Sequence, residues 1–507
     1  MIPLKDIKNK TVLVQTTYQP TPHLETELEI MEELLDNGNT IYWIICQGDF
    51  KTCFHNPEHV EMECKKCNYR VENGISVLKN KIIKNNNLKI INYNTFLNQK
   101  EFEKNNNFNN LDFKNIKDLK KYYYKTYDSG LATTSSLVSI LRDHDPDLGK
   151  HKDFITKGLF TGAYLFEVFH LVLKQIKPDL TLIFNGRFIE NRPLLRVCQE
   201  QKIDFATHER GGKLNTFLFR YNSIPHSLET ISEEIETLWK NGTENKHQIG
   251  ESFYSKRIKR VEDAWYSFTK NQQEGRLPES LKNQSNKKIV TIFNSSLDEY
   301  EGLEGFGPYF YENDDQGVKA IFESLKDNLE IKLYLRVHPN LKEFDNSQNR
   351  FLKDLESKYK SIEVIHAEDE IDTYALINAS DVIIVFCSTV GAEAAFAGKN
   401  VILLGQAAYQ DLNCIVIPKN HQELIEILTS TEYKFPEISH EDTLKYGYWN
   451  ESYGVEYKYY EPKSIADGIY RGNKIEMSKT QKIKLHYWAK FQRKKKKYFS
   501  SLFNSKK

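Results

Sequence analysis

The chain has 507 residues with 70 basic and 70 acidic side chains, so its formal net charge is zero. This balance predicts no nucleic-acid partner, and a hydrophobic share of 39% is typical of a globular protein rather than a membrane protein. A chain of this length exceeds what one hydrophobic core supports, so we expect two or three domains.

The start of the chain lacks a basic region followed by an apolar stretch, and no apolar run approaches the length needed to cross a bilayer. The sequence therefore predicts a cytoplasmic protein without a secretory signal.

The first half of the chain alternates between strand and helix patterns. Thr11–Thr17 and Thr40–Ile45 are apolar runs rich in β-branched residues, and apolar residues at helical spacing separate them. Strand, helix and strand in succession predict a parallel sheet. Further strands are predicted at Leu180–Phe184 and Asp204–Thr207, so we assign residues 1–270 to one Rossmann-like domain.

The alternation restarts after a polar stretch at 271–288, which we interpret as a linker. A second Rossmann-like domain is predicted over 289–445, followed by helices and a basic tail over 446–507. Two doubly wound α/β domains facing a cleft form the GT-B arrangement, in which ligands bind beyond the carboxyl ends of the strands. The main predicted strands of the second domain are Ile289–Phe293, Lys332–Val337 and Val382–Phe386.

Two strand ends of the second domain carry groups suited to binding phosphate. His338-Pro339 ends one strand, and Ser388-Thr389 ends a neighbouring strand where a helix begins. An imidazole, hydroxyl groups and the free backbone N–H groups of a helix start can all donate to a phosphoryl group. Glu393, one helical turn further on, is suited to binding ribose hydroxyls. The alternative interpretation is that these residues only cap their strand and helix.

Two segments of this domain resemble the His-Pro and Ser-Ser/Thr motifs of several GT-B groups. They are Arg336-Val337-His338-Pro339-Asn340 and Ser388-Thr389-Val390-Gly391-Ala392-Glu393-Ala394. The groups are the capsule and lipopolysaccharide β-Kdo transferases, bacterial sialyltransferases and teichoic-acid glycerophosphotransferases, which use cytidine-nucleotide donors. The resemblance spans roughly residues 289–410, and the overall likeness is to capsule-polysaccharide biosynthesis proteins.

This resemblance implies roles for individual residues. His338, Ser388 and Thr389 would hold the phosphate of the sugar donor, and catalysis would need no metal cofactor. The remaining residues of the two motifs that we assign to the sugar-donor site are Arg336, Pro339, Gly391 and Glu393.

The polar loop after the first strand of the second domain also belongs to the predicted sugar-donor side of the cleft. Ser295 and Ser296 can donate to phosphate, and Asp298 or Glu299 can supply a carboxylate. A polar loop built around a serine turn explains the same residues equally well.

A general base is expected in the first domain, where GT-B enzymes receive the acceptor. Glu209 is the predicted base, with His208 and Arg210 beside it, because it follows a strand and can accept a proton from an acceptor hydroxyl. Asn185 and Arg187 follow the neighbouring strand on the acceptor side, and the arginines can pair with anionic groups of the substrates. The alternative is a structural Glu–Arg ion pair at the end of the sheet.

Four of the seven cysteines, Cys46, Cys53, Cys64 and Cys67, lie close together in sequence and include one C-x-x-C. Four thiolates match a structural zinc site, which we predict here. Free thiols and a redox-active pair are the alternatives. An odd cysteine total in a chain without a signal argues against a disulfide framework.

The tail after Glu476 contains no acidic residue and mixes basic with aromatic side chains, including Arg493 and the run Lys494–Lys497. This composition predicts adsorption to an anionic membrane surface. Nucleic-acid binding and a solvated helix end are the alternatives.

Together these features predict a glycosyltransferase of capsule or lipopolysaccharide biosynthesis, cytoplasmic and peripheral to the inner face of the membrane. It would transfer a sugar from a nucleotide-activated donor to a glycan or lipid-linked acceptor, and the resemblance favours CMP-Kdo or another CMP-activated sugar acid. Two other functions fit the same features. One is a nucleotide-sugar enzyme of the UDP-HexNAc 2-epimerase type, and the other is a non-catalytic scaffold for polysaccharide assembly.

Overall fold

The structure is a computed structural model that describes residues 3–85, 87–261, 269, 271–283, 286–359 and 362–504. Its strands in chain order are β1 (Thr11–Thr16), β2 (Thr40–Ile45), β3 (Leu88–Ile91), β4 (Leu180–Phe184), β5 (Phe205–Arg210), β6 (Thr216–Tyr221), β7 (Lys288–Phe293), β8 (Ile331–Arg336), β9 (Glu363–Ile365), β10 (Val382–Val385), β11 (Asn400–Leu403), β12 (Val455–Glu456), β13 (Tyr460–Ser464) and β14 (Asp467–Tyr470).

The helices lie between these strands and after the last of them. In chain order they are α1 (His23–Asp36), α2 (Glu61–Asn85), α3 (Gln99–Asn105), α4 (Ile116–Lys120), α5 (Ser129–Leu141), α6 (Lys152–Ile176), α7 (Arg192–Gln201), α8 (Leu228–Lys240), α9 (Lys246–Ile258), α10 (Asp314–Leu325), α11 (Ser347–Lys358), α12 (Thr373–Ala379), α13 (Val390–Phe396), α14 (His421–Thr429), α15 (His440–Ser452) and α16 (Lys479–Asn504).

The chain forms two compact units, each built around one large sheet, which confirms the predicted pair of α/β domains. The first unit consists of Met1–Leu137, Leu148–Pro225 and Gly454–Lys507. The second consists of Val138–Asp147 and His226–Tyr453.

The sheet of the first unit has the strand order β12-β6-β5-β4-β1-β2-β3. Strands β1 to β5 are parallel, whereas β6 and β12 are added antiparallel at one side. Val12 and Val14 of β1 pack with Leu28 and Met31 of α1 in one apolar cluster. Such strands are buried on both faces because helices cover a parallel sheet.

The sheet of the second unit is parallel throughout, with the order β11-β10-β7-β8-β9. Successive residues of β7 enter different cores: Ile289 and Phe293 belong to one apolar cluster, and Val290 and Ile292 to another. This alternation follows from the two-residue period of a strand. Burial of each Val or Ile side chain contributes roughly 1.5–3 kcal/mol, so β7 stabilises both faces of its unit.

The boundaries between the two units differ from the predicted domain boundaries. The helices α8 and α9 belong to the second unit, where Trp449 of α15 donates to Glu234 of α8 at 3.2 Å. The predicted linker at 271–288 also lies within the second unit in its described residues. There the Gln272 side chain bonds both the backbone N–H (2.8 Å) and the hydroxyl (3.0 Å) of Thr373.

The segment after α15 is helical only in α16, because strands precede that helix. They begin with β12, which joins the first sheet, and the β13–β14 hairpin follows. Glu29 of α1 accepts the backbone N–H groups of Lys458, Tyr459 and Tyr460 at 2.7–3.2 Å. Buried carboxylates on α1 therefore hold this segment in the first unit.

Helix α16 packs on α2 through its first turns. The Gln481 side chain bonds that of Asn73 (3.1–3.2 Å), and the ammonium group of Lys65 lies over the Trp488 ring at 4.7 Å. The side chains of Arg493 and Lys494–Lys497, on which the membrane prediction rests, lie outside the described part of the chain.

Within the described residues, one helix is long and apolar enough to cross a membrane, namely α6 (Lys152–Ile176). Two thirds of its most apolar window (67%) is buried inside the protein, as in the core helix of a globular domain. The sequence expectation of no span-length apolar run therefore overlooked α6, whose apolar surface is covered by its own unit.

Candidate functional site

Both sheets contain a topological switch point, where the strand order reverses direction. In the first unit it lies between β1 and β4, and in the second between β7 and β10. In open α/β sheets, ligands bind outside the carboxyl ends of the strands at such a point. We call these strand ends the carboxyl edge of each sheet.

The register of the second sheet sets which residues meet at its carboxyl edge. Phe293 of β7 pairs with Val385 of β10 on one side and with Arg336 of β8 on the other. Two residues further along each strand, Ser295, Cys387 and His338 lie at the same level. The predicted His338 and Ser388 are therefore at one edge, but β7 separates their strands.

The prediction that His338 and Ser388 follow neighbouring strands is therefore wrong. Their strands, β8 and β10, lie on either side of β7 and do not pair with each other. Strands two positions apart lie about 10 Å apart. Residues at the end of β7 connect both sides: Asn294 Oδ1 accepts the backbone N–H of His338 (2.9 Å), and Ser295 Oγ accepts that of Cys387 (3.1 Å).

Ser295 is a structural residue, contrary to its predicted contact with phosphate. It is buried, its N–H donates to Asp314 Oδ2 (3.0 Å), and its carbonyl accepts from the Gln348 side chain (3.0 Å). Burial raises the pKa of Asp314 to about 6. Ser295 therefore bonds the end of β7 to the end of β10 and to the start of α10, and its hydroxyl is already engaged.

Ser296 is likewise buried and donates to Asp298 in the turn that follows β7. The other oxygen of Asp298 contacts Arg142 Nε at 2.5 Å. Glu299 accepts from the Asn340 side chain. The acidic residues predicted in this loop therefore hold neighbouring side chains.

His338 is a neutral hydrogen-bonding group. Its Nδ1 accepts the backbone N–H of Asn340 at 3.2 Å, which assigns the ring proton to Nε2. Burial, together with the charges of Arg142 and Arg336, lowers the pKa of His338 to about 4. At neutral pH the imidazole can donate a hydrogen bond to an anion, but it carries no positive charge.

Arg336 holds a loop of the protein and is not positioned to bind a ligand. Its guanidinium donates to the backbone carbonyls of His366 (2.5 Å) and Asp369 (3.1 Å), and it is buried. Burial lowers its pKa to about 10. Arg336 holds the loop after β9, while Pro339 begins a short 3-10 turn, Pro339–Leu341.

The segment after β10 forms a serine turn and is closely packed. Ser388 Oγ accepts the N–H of Val390 at 3.3 Å, and the Ser388 carbonyl accepts from the Tyr409 hydroxyl at 2.5 Å. A Cβ on Gly391 would lie 2.2 Å from the Tyr409 oxygen, so only glycine fits there. Helix α13 has seven residues, which limits its dipole.

Glu393 is buried and already bonded within the protein. Its Oε2 accepts from the Tyr374 hydroxyl (2.7 Å), and its Oε1 accepts from Thr389 (3.4 Å) and faces Arg257 Nη1 (3.6 Å). Both carboxylate oxygens therefore have protein partners. This arrangement makes Glu393 an anchor for α13 and corrects the prediction of an open ribose-binding carboxylate.

In the first unit, Glu209 lies at the carboxyl edge of β5 with 20% of its side chain exposed. Its Oε2 accepts from Asn185 Nδ2 (2.7 Å), and its Oε1 accepts the N–H of Arg210 (3.0 Å). His23 Nδ1 lies 3.7 Å from Oε1, and burial lowers the pKa of His23 to about 3, so this imidazole is neutral. Glu209 is thus an oriented carboxylate that solvent reaches.

His208 cannot contact a substrate, because its side chain is 0% exposed. Its Nε2 lies 3.2 Å from Glu27 Oε1, and Glu27 accepts from the Thr16 hydroxyl, which in turn accepts from Trp43 Nε1 (2.7 Å). Burial raises the pKa of Glu27. The predicted catalytic His208 is therefore part of a buried polar chain that joins β5 to α1.

Aromatic rings line the same edge of the first sheet. The half-exposed Tyr18 ring stacks on Phe184 with centroids 5.0 Å apart and an interplanar angle of 10°. The Arg187 guanidinium lies 4.5 Å from the Phe188 ring, which stacks on Phe54 at 3.9 Å. Phe184 and Phe188 are buried, so the half-exposed Tyr18 and Phe54 rings are the flat apolar faces that a sugar ring can reach.

The structural zinc site predicted at the four cysteines stays a prediction. In the ranges that the structure describes, no group of three or more His, Cys, Asp or Glu side chains is placed to hold a metal ion. The sulfurs of Cys46, Cys53 and Cys64 instead accept N–H bonds at 3.3–3.4 Å. Burial, with the neighbouring Cys64 among the further causes, raises the pKa of Cys46 and of Cys67 to about 12 in the metal-free chain.

Sequence reasoning missed residues that the fold brings to the carboxyl edge of the second sheet, above all Arg142 and Asn294. Asn294 directly follows β7, so the same rule that selected Ser295 could have included it. Arg142 lies about 150 residues before β7, and its only sequence signal is the charged run Arg142-Asp143-His144-Asp145. Tyr18, at the corresponding edge of the first sheet, follows β1 in the same way.

Residues 279–412 match the family of capsule polysaccharide biosynthesis proteins. The matched stretch contains β7 to β11 and so covers the carboxyl edge of the second sheet. None of the curated proteins compared with the chain matches it.

Among solved structures, the chain is similar to two transferases named KpsC from Thermosulfurimonas dismutans. The β-Kdo 2,4 transferase is 14% identical over 53% of this chain and 78% of that chain, with a TM-score of 0.32. The β-Kdo 2,7 transferase is 12% identical over 55% of this chain and 79% of that chain, also with a TM-score of 0.32.

The chain is also similar to the UDP-GlcNAc 2-epimerase of Neisseria meningitidis, solved with UDP-GlcNAc bound. This structure is 13% identical over 87% of this chain and 97% of that chain, with a TM-score of 0.25. All three scores are low, so the function of this chain has to follow from its own residues and from the matched stretch.

Proposed function

We propose that the chain is a glycosyltransferase of surface polysaccharide synthesis, which moves a sugar from a nucleotide-activated donor to a glycan or lipid-linked acceptor. One observation supports the proposal most strongly. The stretch that matches capsule polysaccharide biosynthesis proteins, residues 279–412, contains the topological switch point with His338 and Ser388 at its edge.

In this proposal the second unit binds the sugar donor over the end of β7. His338 Nε2–H donates to the phosphate from one side, and the hydroxyls of Ser388 and Thr389 donate from the other. A phosphoryl group that accepts from both sides spans about 8 Å between the donor atoms, which suits strands separated by one neighbour. As the bond from the anomeric carbon to the phosphate oxygen breaks, negative charge grows on the phosphate, and prearranged donors stabilise it.

The first unit supplies the acceptor side of the reaction. Glu209 takes the proton of the attacking hydroxyl, and Asn185 and the Arg210 N–H fix the orientation of its carboxylate. The Tyr18 ring provides a stacking face for an acceptor sugar, and Arg187 and Arg210 pair with acidic groups of the substrates.

A thermal-shift series with CMP, UDP and GDP tests the proposal. A nucleotide that binds only the folded chain stabilises it and so raises its melting temperature. At a nucleotide concentration 100 times Kd, the free energy of unfolding rises by about 2.7 kcal/mol. The resemblance to transferases with cytidine-nucleotide donors leads us to expect the largest shift with CMP.

A shift with UDP alone, together with turnover of a UDP-sugar in the absence of an acceptor, would favour the epimerase alternative. No shift with any nucleotide would contradict the proposal and favour the scaffold. CMP-Kdo incubated with and without a glycan acceptor then distinguishes transfer from simple hydrolysis.

We also propose that the protein is cytoplasmic and that its basic C-terminus adsorbs to anionic lipid. Each Lys or Arg near such a surface contributes about 1 kcal/mol, so the run Arg493 to Lys497 would raise binding many-fold. Because α16 packs on α2 up to Trp488, a truncation should begin at Arg493. We expect the truncated chain to lose binding to anionic vesicles, and retention of that binding would contradict the proposal.

A further inference from the structure

Among the residues predicted for the sugar-donor site, the one cation, Arg336, is buried and bonded within the protein. His338 is neutral, and Arg336 donates to the carbonyls of His366 and Asp369. Ser295 and Ser296 are engaged within the protein. A nucleotide phosphate carries one or two negative charges near neutral pH, so these groups alone would leave that charge uncompensated.

Arg142 brings a cation to this edge from a distant part of the chain. The segment Val138–Asp147 belongs to the second unit, although the residues before and after it belong to the first. It is fixed at the start of α11: the Arg142 carbonyl accepts from Asn346 Nδ2 (2.8 Å), and Asp143 accepts the N–H of Ser347 (3.2 Å). The backbone position of Arg142 is therefore set by the fold.

The Arg142 side chain contacts Asp298 and Phe344, but its terminal amino groups make no hydrogen bond among the described residues. Its Nε contacts Asp298 Oδ2 at 2.5 Å, and its guanidinium lies 5.3 Å from the Phe344 ring. The side chain is 35% exposed, and its two terminal amino groups have no protein acceptor among the described residues. Nε makes no hydrogen bond with a described residue despite this ion pair with Asp298, and an arginine in such a pair can direct its terminal groups to a planar, bidentate contact with a ligand.

Asn294 adds a second unused hydrogen-bond donor at the same edge. Its Oδ1 accepts the N–H of His338, whereas its Nδ2 is buried and has no hydrogen-bond partner in the described chain. Asn294 itself is 1% exposed. A buried amide without an acceptor is costly, and an acceptor oxygen from a ligand would remove that cost.

Asp298 links Arg142 to the switch point. It lies in the turn directly after β7, and Ser296 donates to its other oxygen. Asn340, two residues after His338, donates to Glu299 in the same turn. The turns after β7 and β8 are therefore one connected unit, with Arg142 bonded to one end and His338 at the other.

We infer that Arg142 is the phosphate-binding cation of the sugar-donor site, and that Asp298 positions it. Through its two terminal amino groups, Arg142 binds phosphoryl oxygens of the nucleotide beside His338. This inference rests on the proposed function and names a residue that carries the charge of that site. Asp298 is a positioning residue, because it contacts the guanidinium and not the ligand.

Titration calorimetry of the full chain with CMP, UMP and the free nucleosides tests the inference. Relative to the unmodified chain, Arg142→Ala should weaken nucleotide binding about 10- to 100-fold, the range for a lost bond to a charged group. Arg142→Lys should lose less, because it keeps the charge but not the fork. Asp298→Asn should give an intermediate loss that shrinks when Arg142 is already alanine.

Arg276→Ala is the matched control, since Arg276 is a half-exposed arginine of the same unit with a carboxylate partner at 2.6 Å. It should leave nucleotide affinity unchanged. Cytidine or uridine, which lack phosphate, should bind Arg142→Ala as well as they bind the unmodified chain.

Equal CMP affinity in the unmodified chain and in Arg142→Ala would overturn the inference while leaving the proposed function intact. An equal loss of nucleoside and nucleotide affinity would overturn it too, because it would show a general change of structure. If Arg142→Ala does not fold, Arg142→Lys decides, and unchanged affinity in that variant together with an unchanged salt dependence would reject the bidentate contact. An unmodified chain that binds no nucleotide would instead refute the proposed function itself.

Discussion

The Glu209→Gln variant is expected to transfer sugar about 10²- to 10⁴-fold more slowly than the unmodified chain, the contribution typical of a positioned general base. Glutamine keeps the size of the side chain and a hydrogen-bonding oxygen for Asn185, but it cannot take a proton from the acceptor. Nucleotide binding should stay unchanged, because Glu209 belongs to the first unit. Single-turnover transfer and nucleotide titration measure the two effects separately.

Glu101→Gln serves as the control, because Glu101 is an exposed carboxylate on α3 of the same unit. Its transfer rate should equal that of the unmodified chain. A normal rate in Glu209→Gln would assign Glu209 to the structural alternative, in which it only closes the sheet end through Asn185 and Arg210.

The second large effect is expected for His338→Ala. The loss of one hydrogen bond to a charged phosphate should weaken nucleotide binding about 10- to 100-fold. Transfer should fall further than binding, by about another 10²-fold or more, if the bond strengthens as charge grows on the leaving phosphate. His338→Gln should recover part of the affinity, because its amide can donate close to the position of Nε2.

His247→Ala is a suitable control, because His247 is an exposed residue on α9 in the same unit. It should bind nucleotide normally. Equal nucleotide affinity in His338→Ala and in the unmodified chain would remove His338 from the sugar-donor site, whatever the transfer rate.

The strands themselves could be predicted closely from the sequence. The predicted runs Thr40–Ile45 and Leu180–Phe184 coincide with β2 and β4, and Ile289–Phe293 misses only the first residue of β7. These are continuous β-branched and apolar runs, the pattern of strands buried on both faces. Local composition alone is enough to find such strands.

The order of the strands could not be predicted in the same way. That β7 lies between β8 and β10 depends on which helices cross each face, and no local pattern encodes this. The prediction that His338 and Ser388 follow neighbouring strands was therefore wrong, although both residues lie at one edge. The membership of Arg142 in the second unit is a long-range contact of the same kind.

The roles of His208 and Glu209 could have been separated from the sequence. Successive strand residues point to opposite faces, so the two side chains cannot both face one site. The structure directs His208 to Glu27 in the core and leaves Glu209 accessible. What the sequence lacked was the identity of the buried face, which depends on the packing of α1.

A crystal structure of the chain with CMP tests the central claim most directly. We expect the phosphate over the end of β7, within about 3.5 Å of His338 Nε2 and of a hydroxyl of Ser388 or Thr389. A nucleotide bound away from the carboxyl edge of the second sheet, or one whose phosphate contacts neither side chain, would contradict the account.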